Sequence, residues 1–199
     1  MSEAKRHLGM KAMLSKDGRP QVSIRTDLRP GDIGMVVHLH GALYAEEQGW
    51  DSTFDGYVAG PLAEFARSRS DRDRIWIVEL KDAIGAAVGR GEGRWIGECE
   101  EAKRIVGSVA IVEVSEDEAQ LRWLLLAPVV RGLGLGRRLA GEALAFSRSA
   151  GYKSVFLWTV RGLEAATSLY ESLGFEETEE KTSEIWGSTV TEVRYDLKL

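Results

Sequence analysis

Apolar and polar residues alternate over 21–26, QVSIRT, with the two-residue rhythm of a half-buried strand. LRPGD then supplies a turn, Asp32 stands where a helix cap belongs, and apolar residues return at helical spacing from about Ile33 to Gln48. A second amphipathic stretch, FDGYVAGPLAEFARSRS, sets Phe54, Tyr57, Val58, Leu62 and Phe65 at helical intervals. Pro61 inside it predicts a kink or a split into two short helices. The period next falls to that of strands in RIWIVEL at 74–80 and RIVGSVAIVEV at 104–114, both rich in branched and aromatic side chains. Between them, 81–103 is a glycine-rich insert that carries another strand-like piece, RWIGEC at 94–99. Either 74–80 or 94–99 fits beside 104–114, and 74–80 is taken as the main strand.

AQLRWLLLAP, after an acidic turn at 115–118, is apolar on both faces near its end, as a central strand would be. Three glycines follow, and then a helix with Leu135, Leu139, Ala143 and Phe146 on one face, ended by Gly151. The strand SVFLWTV, the helix LEAATSLYESLGF and two strands at about 183–187 and 189–198 complete the pattern. Residues 1–20 are polar and without period, which predicts a flexible leader before a single domain over 21–199.

Composition narrows the function classes. The 199 residues suit one core, and 44% hydrophobic with 29% charged residues is the balance of a soluble globular chain. A net charge of −5 disfavours nonspecific nucleic-acid binding, which needs Lys and Arg to displace counterions from phosphates. No apolar run approaches the ~20 residues of a membrane span, and the N-terminus lacks the apolar core of a signal peptide, so a cytoplasmic location is expected. Cys99 is the one cysteine and offers neither a disulfide nor a cysteine metal site. His38 and His40 point about 200° apart on a helix and cannot easily share an ion, so no metal is expected.

The stretch LLLAPVVRGLGLGRRLAGEALAF carries the clearest chemistry. A strand that ends at Pro128 and reopens as a helix near Gly134 leaves loop amides and the first helical N–H groups unpaired, a site that attracts anions. Glycine at 132, 134 and 136 removes the Cβ atoms that would hold a phosphate away, and the helix dipole adds roughly half a positive charge. Arg131, with Arg137 or Arg138, supplies full charge. A Walker A loop requires Gly-Lys-Ser/Thr, which is absent. The dinucleotide fingerprint G-x-G-x-x-G fails because position 137 is Arg.

What fits is R-x-x-G-x-G, formed by Arg131, Gly134 and Gly136 after a strand and before a helix. Here the chain resembles the GNAT superfamily of acyl-CoA N-acyltransferases, whose pyrophosphate loop has this form and position. TSLYESLGF looks like the family's LY-x-x-x-GF signature, and the order of elements over 21–199 is also the family's. RPGDIGMVVHLHGALYAEEQGWDSTFD is similar to the GNAT domains fused behind MarR-type regulators. Only about 20 residues precede it, so no helix-turn-helix part is expected.

The resemblance implies an α+β GNAT fold: a central mixed, mostly antiparallel, twisted sheet of about seven strands flanked by about four helices. It implies acetyl-CoA as co-substrate, no metal, and transfer of acetyl to a primary amine, small or peptide-borne, by direct attack in a ternary complex. The backbone of Leu124, Leu125 and Leu126 would meet pantetheine and polarise the thioester carbonyl. Arg131, Gly132, Leu133, Gly134, Leu135, Gly136 and Arg137 would hold the pyrophosphate. Tyr170 falls where many members place the acid that protonates the leaving thiolate, whereas Leu163 replaces an asparagine that often contacts the cofactor. Glu47 or Glu46 would take the amine's proton, with Glu47 favoured, and Tyr44 and Trp50 would shape the amine pocket. Homodimers are common in the family. The alternative is an acyl-CoA-binding sensor or regulatory domain without turnover; a DNA-binding regulator is disfavoured.

Overall fold

The computed structural model describes residues 19–81 and 104–199. The expected leader, up to residue 18, Cys99 and the strand expected at 94–99 lie outside the described residues. Seven strands and four α-helices follow one another as β1 (Val22–Arg25), α1 (Asp32–Gln48), α2 (Thr53–Ser68), β2 (Arg74–Leu80), β3 (Arg104–Glu113), β4 (Glu118–Leu126), α3 (Leu135–Ser149), β5 (Ser154–Val160), α4 (Glu164–Ser172), β6 (Glu176–Ile185) and β7 (Ser188–Lys198). They form one sheet in the order β1-β2-β3-β4-β5-β7-β6. β4 and β5 are parallel, and every other neighbouring pair is antiparallel. The mixed, mostly antiparallel α+β sheet expected from the sequence is therefore present, with 74–80 beside 104–113.

Alternation along the strands divides the core in two. One face of the sheet, with Val78, Val109, Leu121, Val155 and Val193, packs on α3 and α4; the other, with Ile75, Ile77, Ala110 and Val190, packs on α1 and α2. α1 is anchored by a buried ionic cluster. Arg25 donates to Asp32 through both Nη atoms, at 2.8 and 2.7 Å, and through Nε to Glu79 at 2.7 Å. Burial pulls the Arg25 pKa down, but hydrogen bonds to the two carboxylates outweigh it and drive the pKa up. Asp32 is the first helical residue rather than the cap, which is Gly31.

Two expectations change. α2 runs unbroken through Pro61. Its buried stripe of Phe54, Val58, Leu62 and Phe65 outweighs the ~3 kcal/mol cost of a proline in a helix interior. β6 begins at Glu176, seven residues before the expected strand at 183. Its first seven residues, EETEEKT, are exposed on both sides at the sheet edge, so no apolar alternation marks them.

Candidate active site

Three rungs join β4 to β5: Glu118 to Ser154, Ala119 to Val155 and Gln120 to Phe156. Beyond them the strands separate. β4 pairs on with β3 up to Leu126, while β5 continues with β7, so a wedge opens between strands that are adjacent lower down. Leu124, Leu125 and Leu126 lie along its edge and line a groove floored by Leu163, Ala166 and Leu169 of the α4 region. The Leu126 carbonyl accepts a hydrogen bond from Arg131 Nε at 2.8 Å.

The glycine loop closes the end of this groove. Gly134 caps α3 with φ 75°, and Gly132 has φ 74°, both in the left-handed region that favours glycine. Gly136 differs, since it is already helical. A Cβ there would meet only Leu169 Cδ2, at 3.5 Å, and Leu126 Cδ1, at 3.8 Å, both ordinary contacts. Neither backbone nor packing therefore requires glycine at 136. Gly132, Gly134, Leu135, Gly136 and Arg137 line the groove with Arg131, whereas the Leu133 side chain packs on the core. Each loop cation is held: Arg131 Nη1 by Glu47 at 2.7 Å, Arg137 by the Ser172 hydroxyl at 2.9 Å and Arg138 by Glu142 at 2.9 Å.

A second chamber lies on the α1 and α2 side of the wedge. Tyr44 stacks on Trp50 with ring centroids 4.6 Å apart, and Trp186 reaches across from the β6–β7 turn to Trp50 at 4.5 Å, Phe54 at 4.9 Å and Tyr57 at 4.9 Å. Trp186 and Gly187 have φ 53° and 77°, the primed turn that suits a two-residue hairpin. For a bulky residue this conformation costs ~1–2 kcal/mol. It is kept by Asp51, whose N–H donates to the Trp186 carbonyl at 3.0 Å. Arg122, Trp158 and Glu192 complete the walls, and buried Glu192 accepts from Lys181 at 3.1 Å.

Groove and chamber share Tyr44, Leu124, Leu163, Ala166 and Tyr170. Tyr170 is 6% exposed, yet its hydroxyl has no hydrogen-bond partner among the described residues, although buried phenols ordinarily find one. Burial pushes its pKa up, with a further push from Tyr44. Tyr44 is raised to about 12, by burial first and then by Glu47, against a smaller opposing pull from Arg131. Both phenols therefore keep their protons at neutral pH. Burial pulls His40, also on the chamber wall, down to about 4, against its hydrogen bond with the Val36 carbonyl at 2.8 Å.

The structure thus brings together Tyr170, Tyr44, Trp50, the three leucines and the glycine loop. It does not bring the expected proton acceptors into the chamber. Glu47 lines the groove and is taken up by Arg131, and Glu46 is exposed on α1 and lines neither space. The reason is helical phase: Tyr44 and Glu47 share the inward edge of α1, and Glu46 is turned from it. Glu192 is the carboxylate that faces the chamber among the described residues. Tyr57 and Trp186 lie on elements expected to shape the amine pocket, the second helix and the EIWGSTV stretch of the last strand pair, whereas Arg122 and Trp158 were not anticipated. One signal was available, the arginine interrupting an apolar run at AQLRWLLL.

The site is therefore a wedge between parallel strands with a glycine loop at one end and a separate aromatic chamber that meets it at a tyrosine. The chain belongs to the Acetyltransferase (GNAT) family, whose sequence profile matches residues 50–175. Among curated relatives, YjgM of Escherichia coli (strain K12), an uncharacterized N-acetyltransferase, is 37% identical over 87 residues, 43% of this chain and 52% of that protein. Human N-acetyltransferase 8B is 34% identical over 101 residues, 48% of this chain and 44% of its own length. The chain thus matches about half the length of these relatives. The fold is shared with a structure of yncA from Salmonella typhimurium with its cofactor acetyl-CoA, at TM-score 0.62 and 14% identity over 89% of this chain and 94% of that one. A spermidine N-acetyltransferase from Vibrio cholerae in complex with CoA and spermine matches at TM-score 0.58 and 20% identity, over 89% and 95% of the two chains.

Proposed function

We propose that this protein transfers an acetyl group from acetyl-CoA to a primary amine by direct attack within a ternary complex. The observation that carries this reading is Tyr170, a protonated phenol without a hydrogen-bond partner among the described residues, where the groove and the chamber meet. The pyrophosphate lies against Gly132, Gly134, Gly136 and the start of α3, and pantetheine follows the free edge of β4 beside Leu124 and Leu125. The thioester then reaches the junction.

The amine enters through the aromatic chamber as an ammonium ion, since an alkylamine has a pKa of about 10.4. Glu192, which unlike Glu47 faces the chamber, exchanges its pairing with Lys181 for the ammonium group and accepts one proton. The neutral nitrogen attacks the thioester carbon while backbone N–H groups of β4 stabilise the developing oxyanion. Collapse breaks the carbon–sulfur bond. Tyr170 gives its proton to the departing sulfur and recovers one from the nitrogen, leaving an amide and a free thiol. No residue carries the acetyl group at any stage. Glu47 keeps Arg131 in place on the groove wall instead of serving as the base.

The test is thiol release from acetyl-CoA with a panel of amines. Release that depends on one class of amine supports transfer. Tight acetyl-CoA binding without release from any amine would instead support the sensor role.

A further inference from the structure

Among the basic residues around the chamber, Arg122 stands apart. Lys181 is paired with Glu192, and Arg194 with Asp196 at 2.7 Å and Glu118 at 3.1 Å. Arg122 has no carboxylate and no hydrogen-bond acceptor among the described residues; its recorded neighbour is the Trp123 ring, whose centroid is 4.9 Å from the guanidinium carbon. It is half-buried on the chamber wall. Burial pulls its pKa down, and Tyr57 pushes it partly back. A guanidinium remains charged even so, and taking a cation from water without a partner is costly.

The backbone goes out of its way to hold it there. The β3–β4 register shifts between Ser108 and Ala110, where Trp123 takes φ 53°, outside the usual range for a tryptophan. Ser108 Oγ secures the bulge by donating to the Trp123 carbonyl at 2.7 Å. As a result Arg122 and Trp123, adjacent in sequence, both border the chamber, where regular alternation would have sent one of them to the opposite face. The two described non-glycine residues with positive φ, Trp123 and Trp186, thus both line this chamber, and local strain of this kind clusters at ligand sites.

We infer that the acceptor is an amine that also carries a carboxylate, which Arg122 binds, and that its body is aromatic or otherwise apolar, filling the space among Trp50, Tyr57, Trp158 and Trp186. This rests on the acetyl-transfer reading and names the substrate class within it. Arg122 offers the planar fork that fits a carboxylate with two parallel hydrogen bonds, and Glu192 on the β7 wall supplies the opposite charge for the ammonium group. An acceptor with two or more amines and no anion would place positive charge in a chamber where Arg122 has no counter-ion.

Matched acceptors differing only in the carboxylate test this: phenylalanine against phenethylamine, tryptophan against tryptamine, and leucine against isoamylamine, with spermidine as the carboxylate-free polyamine. Hydrogen bonds to a charged group predict that kcat/KM for at least one carboxylate-bearing member exceeds its partner's by about 10-fold or more. In Arg122→Met the ratio falls towards one, mainly through KM, and Arg122→Lys recovers part of it, which separates lost charge from lost folding. Turnover of the plain amines or of spermidine with no carboxylate preference would overturn the inference while leaving acetyl transfer intact. If no amine releases thiol, calorimetric titration of the same amino acids into the CoA-loaded protein decides. Binding lost in Arg122→Met supports the carboxylate site although transfer has failed, and no binding to the parent protein overturns it.

Discussion

Arg131 of the glycine loop and Glu47 of α1 form an ion pair at 2.7 Å across the rim of the groove. The pair ties the wall expected to hold phosphate to the helix that bears Tyr44, so the two chambers share a mechanical link. Both partners are well exposed, which limits the interaction to ~1 kcal/mol or less. On the proposed reading, a pyrophosphate at the loop would compete with Glu47 for the guanidinium.

Replacing Glu47 by Gln separates the two roles open to it. As a competitor for Arg131, its loss tightens CoA binding about 2- to 5-fold, read as the dissociation constant for CoA. A fall in kcat of about 100-fold or more, with loss of the acidic limb of the pH–rate profile, would make Glu47 the base after all.

Gly136→Ala distinguishes a glycine kept for a ligand from one kept for the fold. The added methyl meets only ordinary contacts with Leu169 and Leu126, and alanine favours the helix by about 1 kcal/mol. The melting temperature should hold or rise, while CoA affinity falls about tenfold or more as the methyl stands between the α3 amides and the phosphate. Unchanged CoA affinity would remove the phosphate from this position.

Tyr170→Phe keeps the ring contacts with Phe175 and Tyr195, at centroid distances of 5.9 and 6.4 Å, and removes only the hydroxyl. The expected result is a kcat lower by roughly 10²-fold or more at an unchanged CoA dissociation constant. A kcat within about twofold of the parent would end the assignment of Tyr170 as the acid.

His40 gives the fold an acid sensitivity. Its folded pKa of about 4 lies below the ordinary 6.5 because burial disfavours the charged ring. The unfolded chain therefore binds a proton first as pH falls. The stability it secures is complete above pH 6.5 and is lost progressively as pH drops towards 4, by about 3 kcal/mol in all. Urea unfolding at pH 7 and pH 4.5 should show a steeper loss in the parent protein than in His40→Gln. Identical slopes would place the acid sensitivity elsewhere.

Much of the groove and its glycine loop was legible in the sequence, because a local motif encodes it. A strand, a turn that needs glycine at 132 and 134, and an amphipathic helix follow one another between Glu118 and Ser149, and each announces itself by period or by backbone demand. The aromatic chamber has no such signature. Tyr57 comes from α2, Arg122 from β4, Trp158 from β5, Trp186 from a hairpin turn and Glu192 from β7, and only the splay of β4 from β5 brings them to one space. The first seven residues of β6 escaped for a related reason, since a stretch of edge strand exposed on both sides has no hydrophobic code to read. Pro61 misled because the rule for an isolated helix ignores the stripe that α2 buries.

The central claim is that acetyl passes from acetyl-CoA to an amine at the junction marked by Tyr170, without resting on the protein. Mass spectrometry of protein and small molecules after one turnover tests it most directly. The account predicts acetyl on the amine nitrogen, one free CoA for each amide formed, and an unmodified protein, including when acetyl-CoA is supplied alone. A stable acetyl adduct on the protein with acetyl-CoA alone, carried on to the amine in a second step, would contradict it.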